Sequence, residues 1–499
     1  MAKKKQAETI ETDVLIIGGG LAGLTAAVGL RKSGLRVHII ERDTILGGRA
    51  RSWIDAKTGD PVHIGPHIFI SEYPNMRALM SILGTEDKIV WEKGRFILVV
   101  DGQEEIEMKM ANLPPPFHYI PSLVRDKSVT KRDLLSNLPI TFLAMRLTEE
   151  DVLRLDNINA SAFLRGKGVT ENFIQRFWSF AAMSIMNVPL ELCSAGALLR
   201  FYRQLVGHND YYAGFPDGGL GDVFAPQAKE LIESHGGEIW LDTEVDQILG
   251  DERRATGCRL ADGRSIQARF VVAALPPSAL RSVARPEWLE HYKPFTDLVH
   301  FQPVPYISTF LWFDRKLTRQ RFWARAHNPN DLNCDFYDLS NINTGWEDRP
   351  SVITTNCIFS ERAQHLSDEE MVERTIAELA EYLPEAREAR LEHFVVNRIP
   401  MAIHCPFPGT EQLRPSIHTP VDNLLLAGDW IRTELPSSME SACKSGWMVA
   451  EAIWAELGRT TVLHKDLKEV QGLVRLVSRA SRYAPLPRLP RWVRSSRRA

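Results

Sequence analysis

The run Gly18-Gly-Gly20-Leu-Ala-Gly23 sits between a short apolar segment and a helix-forming one, and that setting narrows the choice of fold sharply. Thr12-Asp-Val-Leu-Ile-Ile17 ends in four consecutive β-branched or aliphatic residues, the pattern of a parallel strand buried on both faces. Leu21 to Lys32 has helix-forming composition and stops at Ser33-Gly34, and Val37-His-Ile-Ile40 reads as a second strand. Strand, glycine turn, helix and strand make a βαβ unit. In G-x-G-x-x-G, Gly18 permits the tight turn, Gly20 lets the backbone approach a pyrophosphate, and Gly23 lets helix pack on strand. The helix start at Leu21 and Ala22 offers unpaired N–H groups and a positive dipole end to phosphate. A glycine-rich turn without chemistry needs no acid after the next strand. Glu41 stands there, 18 residues beyond Gly23, where a carboxylate takes ribose hydroxyls.

An acid in that place, with Arg42 beside it also expected at the cofactor, favours NAD or FAD over NADP, and the residues just after separate those two. Gly47-Gly48-Arg49 supplies another close backbone approach and a cation near the pyrophosphate, which an NAD domain does not need. FAD is therefore the expected cofactor. Val14 to Arg51 resembles the flavin-binding start of the amine oxidase and phytoene desaturase superfamily, in which G-x-G-x-x-G runs on into E-x-x-x-x-x-G-G-R.

Three further segments resemble the plant and cyanobacterial-type carotene desaturases more than the amine oxidases. They are Gly65-Pro-His-Ile-Phe-Ile-Ser-Glu-Tyr-Pro-Asn75, Val304 to Leu317, and Leu426-Ala-Gly-Asp-Trp430 with Ser438-Met-Glu440. The likeness runs from about Val14 to Leu457. It implies an α/β fold: a Rossmann-like FAD-binding domain with an interleaved mixed-sheet substrate domain and a helical cap. It also implies that Gly428 and Asp429 lie on the ribityl and pyrophosphate side, that Met439 lies along the isoalloxazine, and that Val245 holds the adenine. Gly65, Pro66 and His67 would form a turn beside the flavin, with Pro66 replacing the family's usual leucine and stiffening it. Trp430-Ile-Arg-Thr-Glu-Leu-Pro-Ser437 is closer to the squalene-associated flavoproteins, hydroxysqualene dehydroxylases included.

Desaturation needs a hydride taken onto flavin N5 and a proton lost from the neighbouring carbon, so the protein supplies position and exclusion of water. No catalytic triad, H-E-x-x-H or metal-ligand cluster is recognisable, and no metal is expected. His67 and Glu440 are weak candidates for tuning or proton handling, His67 reading equally as a turn histidine bonded to backbone. Arg398 could hold a carboxylate or quinone head, or sit in an ordinary ion pair. Phe177, Trp178 and Met183, in the aromatic and methionine-rich stretch 173–186, suit the wall of a long apolar tunnel; core packing explains them as well.

Segments 10–85, 210–285 and 395–460 are expected to form the FAD-binding domain, with 86–209 and 286–394 forming the substrate domain, helical over about 131–205. The six cysteines are far apart and no apolar run is long enough to span a bilayer. The net charge of -3 hides an asymmetry: eight arginines and no acid follow Gln471, which leaves about -11 on the rest. That charge balance does not point to nucleic acid. The basic tail 471–499, with aliphatics and Trp492 among its arginines, has the composition of a membrane-surface contact, although its prolines exclude one continuous helix. A cytoplasmic protein with peripheral membrane association is expected, since no secretory signal is visible. The function expected is desaturation of a carotenoid or related isoprenoid with quinone or dioxygen as acceptor. Hydroxysqualene dehydroxylation, amine oxidation and flavin binding without turnover stand as alternatives.

Overall fold

The computed structural model describes residues 9–481. Its first sheet is built around the strand Thr9–Ile17, flanked in parallel by Val37–Ile40 and Ser265–Ala273. Glu238–Trp240 extends it in parallel beyond Val37–Ile40, and Leu424–Leu426 pairs in parallel with the C-terminal end of Ser265–Ala273. An antiparallel hairpin, Val245–Gly250 and Ala255–Leu260, completes one edge. Val14, Leu15 and Ile16 are fully buried, as the continuous apolar run requires of a strand covered on both faces. The helix Leu21–Leu30 is buried along its whole length. It packs against the helix Met439–Glu456 so closely that a Cβ on Gly29 would lie 2.5 Å from that of Ala450.

The second sheet has the order Leu391–His404, Pro303–Phe313, Val352–Cys357, Asp335–Asp338, Phe322–Arg325, Ile97–Asp101, Glu104–Met108. It is antiparallel except where Phe322–Arg325 meets Ile97–Asp101. A mixed sheet of this kind is what the resemblance implied. Helices Lys131–Arg146, Glu149–Leu155, Ala160–Gly166 and Ala195–Gly207 form the cap, joined by a turn of π-helix at Ile174–Ser179.

Two expected boundaries shift. The strand Leu391–His404 runs across the break placed at 394/395, because ten of its residues pair with Pro303–Phe313; residues 395–404 belong to the second sheet. Trp288, Phe295 and Phe301 bury into the core of the first sheet, so 286–301 belongs with the FAD-binding side. Of the basic tail, only its start lies within the described residues. The helix Gly472–Ser481 buries Val474 beside Met145, so the tail begins by docking on the cap. Residues 482–499, with Trp492 and most of the tail's arginines, lie outside the described residues. Among the described residues no helix is long and apolar enough to cross a membrane, and no group of side chains could hold a metal ion.

Candidate active site

The first glycine turn is locked by geometry that no side chain could share. Gly18 has φ +108°, and a Cβ there would sit 2.5 Å from the Ala274 carbonyl oxygen. On Gly23 a Cβ would lie 2.1 Å from the Gly18 oxygen, so the third glycine serves helix–strand contact. The second glycine pair comes up against the first: the Gly47 amide donates to the Gly19 oxygen at 3.0 Å, and Gly48 lies against Gly20. Two turns, 18–20 and 47–48, thus form one side-chain-free cradle. Glu41 is 8 % exposed, and its carboxylate accepts from the Gly19 amide at 2.7 Å and the Asp43 amide at 2.9 Å. That fixes the carboxylate at the cavity wall with lone pairs to spare for hydroxyl donors. The Thr243 amide donates to the Glu41 oxygen at 3.0 Å, which brings Val245 to the same end of the site.

At the other end Arg49 reaches across 380 residues of sequence to Asp429, Nη2 to Oδ1 at 2.6 Å. Burial alone would raise the Asp429 carboxyl; the Arg49 guanidinium, with His404 and Arg414 nearby, outweighs it and holds the group below the usual carboxylate range. Gly428 has φ +144°, and a Cβ would strike the Trp430 ring at 2.8 Å. Met439 opens the helix Met439–Glu456, whose N-cap Ser438 accepts from the Ser441 amide at 3.2 Å. His67 turns Nδ1 onto the Gly65 oxygen at 2.7 Å. Burial, with the Arg49 charge, lowers its pKa against the Gly65 bond that would raise it.

A cavity of about 1010 Å³ begins between these groups and continues into the cap. It is lined by fifteen of the sixteen residues expected to contact FAD, Gly23 alone lying behind the wall. The expected substrate residues divide. Phe177 lines the cavity, whereas Trp178 and Met183 do not. Trp178 is fully buried, donates from Nε1 to Asn137 Oδ1 at 3.0 Å and packs on the Tyr202 ring; Met183 is 6 % exposed. Both are corrections with one cause: Phe173, Phe177, Phe180, Ala181 and Ser184, spaced three and four apart, put one helical face on the cavity, and Trp178 and Met183 lie off that face.

Glu440 lines the cavity too, and its carboxylate is already engaged. Its carboxylate accepts from the amides of Asn75 and Met76 and from Asn75 Nδ2 at 2.6–3.1 Å, which makes it the cap of the helix Pro74–Leu83. A carboxylate so engaged is a structural anchor for a helix start. Arg398 pairs with Asp368 at 2.7 Å and takes no part in the site.

Residues with no sequence signal complete the wall. Asn356 donates from Nδ2 to the Pro66 oxygen at 3.1 Å and so holds the turn before His67. Tyr337 donates to Asp335 Oδ2 at 2.9 Å, while Asp335 Oδ1 and the Tyr306 hydroxyl, both cavity-lining, have no partner. Burial raises the Asp335 carboxyl to about 7 against the opposing bond from Tyr337. The glycine cradle, the Glu41 carboxylate, a helix start and the Arg49–Asp429 pair at opposite ends of one long cavity fit the size and donor needs of FAD.

Known proteins agree with that fit. The family model for flavin-containing amine oxidoreductases matches residues 21–454. The 15-cis-phytoene desaturase of Synechococcus elongatus is 27% identical over 458 residues, covering 89% of this chain and 96% of the relative. The zeta-carotene desaturase of a Synechocystis species is 23% identical over 484 residues, covering 89% and 98%. Among solved structures, putrescine oxidase bound to putrescine superposes with a TM-score of 0.71 at 19% identity, covering 90% of this chain and 100% of that one. Cyclohexylamine oxidase from Brevibacterium oxydans gives 0.65 at 19% identity, with the same coverage. With the match running from the first helix through Glu41, the Gly47–Gly48 turn and Asp429, the chain belongs to the flavin-containing amine oxidoreductase family and is an FAD-dependent oxidoreductase.

Proposed function

We propose that the enzyme desaturates a carotenoid or related long isoprenoid taken from a membrane surface. The observation that carries this reading is the cavity's continuation beyond the cofactor cradle into a wall of Met108, Leu123, Leu134, Phe177 and Phe201, apolar side chains that suit a hydrocarbon. Bound FAD supplies the two-electron acceptor. The chain's own residues grip the isoprenoid, exclude water and orient it past Asn356 and His67. Asp335, held to about 7 by burial, offers a carboxylate for the proton lost in the same event. Quinone or dioxygen would then take the electrons onward. The likeness to phytoene and zeta-carotene desaturases supports the same substrate class.

One observation favours a second reading. The unpartnered Tyr306 hydroxyl and Asp335 Oδ1 would suit an oxygen on the substrate, as in removal of a hydroxyl from a squalene precursor. Anaerobic bleaching of the flavin near 450 nm (roughly the usual oxidised band) tests the main reading. The holoenzyme is mixed in turn with liposomes carrying phytoene or carotenes, with squalene precursors, and with simple amines. Bleaching by carotenes is expected. Bleaching by amines alone would overturn the proposal, and dehydroxylation of a squalene precursor by the pre-reduced enzyme would establish the second reading.

A further inference from the structure

Seven of the fifteen exposed large hydrophobic side chains among the described residues fall within 113–142, and two more, Leu473 and Leu476, lie on the helix Gly472–Ser481. That concentration is not the scatter of single apolar residues normal on a surface. The helix Lys131–Arg146 shows its origin. Ile140 and Ala144 are fully buried, as an amphipathic helix requires. Yet Leu135, Leu138 and Phe142, spaced three and four apart on another face, are 65%, 57% and 52% exposed. Ile120 and Val124, one turn apart on the helix Ile120–Arg125, are 47% and 64% exposed. The Leu473 amide donates to the Pro115 oxygen at 2.9 Å, which ties the third helix to the same region.

Phe117, Ile120 and Leu138 are exposed at the surface and also line the cavity, so the cavity opens within this patch. Four exposed cations stand beside it: Arg125, Lys127, Lys131 and Arg132. The acids among them are engaged in local hydrogen bonds, Asp126 at the cavity wall included. Asp126 accepts from the Ser128 amide and hydroxyl, and Asp133 is buried in the capping box of Thr130.

We propose that this surface, formed by 113–142 with Leu473 and Leu476, is where the enzyme docks on an anionic lipid bilayer, with the cavity mouth facing the acyl region. Apolar side chains beside unpaired cations match the acyl–headgroup boundary in both polarity and charge. A second copy of the chain is a poorer partner, because a two-fold contact would set like charges against one another. The inference rests on the reading of a membrane-held substrate for its purpose, but the binding itself is measured without substrate. It also shifts the main contact from the arginine-rich tail to the cap.

The test is flotation of the full-length holoprotein with phosphatidylcholine vesicles, with and without phosphatidylglycerol. The wild type is expected to float with the anionic vesicles, less so at high salt. Val124→Glu with Leu135→Glu, neither of which lines the cavity, should lower vesicle partitioning about 100-fold. Flavin content and melting temperature should stay unchanged, since both side chains already face water. A second variant, Arg488→Gln with Arg491→Gln, Arg494→Gln and Arg497→Gln, is expected to keep most of the binding. Wild-type flotation by the Val124/Leu135 variant would overturn the proposal. So would a wild type that ignores vesicles and is a dimer which that variant splits. Loss of flotation in that variant supports the surface even if no isoprenoid bleaches the flavin, so the two proposals fail separately.

Discussion

Asp429 and Asp335 are both buried carboxyls in one cavity, and their surroundings push them in opposite directions. Arg49 holds Asp429 charged, so the pair is a fixed feature of the cofactor's end of the site. Asp429→Ala would leave the guanidinium without its partner and should weaken FAD retention about tenfold, with the fold intact. The flavin-to-protein absorbance ratio after dialysis checks this. Asp335 lacks a cation, and burial lifts it from 3.8 to about 7. A carboxyl whose pKa is higher folded than unfolded adds stability that is full below about pH 4 and is lost as pH rises through about 7. Asp335→Asn should remove that fall, so the difference in melting temperature between wild type and variant should grow from pH 4 to pH 7 in the variant's favour. Flavin reduction by substrate should lose a pH step near 7 in the same variant.

Among the elements, the strands with unbroken apolar runs are the ones their local sequence announces. Val37–Ile40, four apolar or buried residues in a row, begins and ends where its composition says. The strand Asp335–Asp338 escapes such reading because it carries two buried aspartates, and Leu391–His404 because it mixes polar residues with Pro400. A proline is tolerated there because that strand lies at the edge of its sheet. Glu440 shows how an element can claim a residue that chemistry seemed to want. If it caps the helix Pro74–Leu83, Glu440→Ala should cost about 2–3 kcal/mol in thermal or urea unfolding while the remaining bound flavin keeps its spectrum. If it handled protons, Glu440→Gln would abolish turnover with no loss of stability.

For the molecule as a whole, the consequence of two sheets is a cavity that neither makes alone: glycine turns of the first, Tyr337 and Asn356 of the second, and Phe177 of the cap share one wall. Phe177 stacks on Phe173 with ring centroids 5.2 Å apart, so added volume there must intrude on the cavity. Phe177→Trp should slow flavin reduction by the longest isoprenoids about tenfold or more and leave short ones little changed. Stopped-flow traces across a chain-length series would measure it; equal slowing at every length would remove Phe177 from the substrate's path.

The βαβ start, the adenosine-side acid and the second glycine pair were legible because each is a local requirement: φ, close approach and strand burial are dictated within a few residues. The resemblance extended that reading to Asp429 and Met439. Tertiary structure alone decided which of Phe177, Trp178 and Met183 meets the cavity, since an apolar residue carries no mark of whether it is covered by protein or by ligand. It also decided that Glu440 is a cap, that Arg49 meets Asp429, and that Asn356 and Asp335 reach the site at all. Those facts depend on pairings hundreds of residues apart, whose partners are chosen by packing and sheet register rather than by anything in the neighbouring sequence.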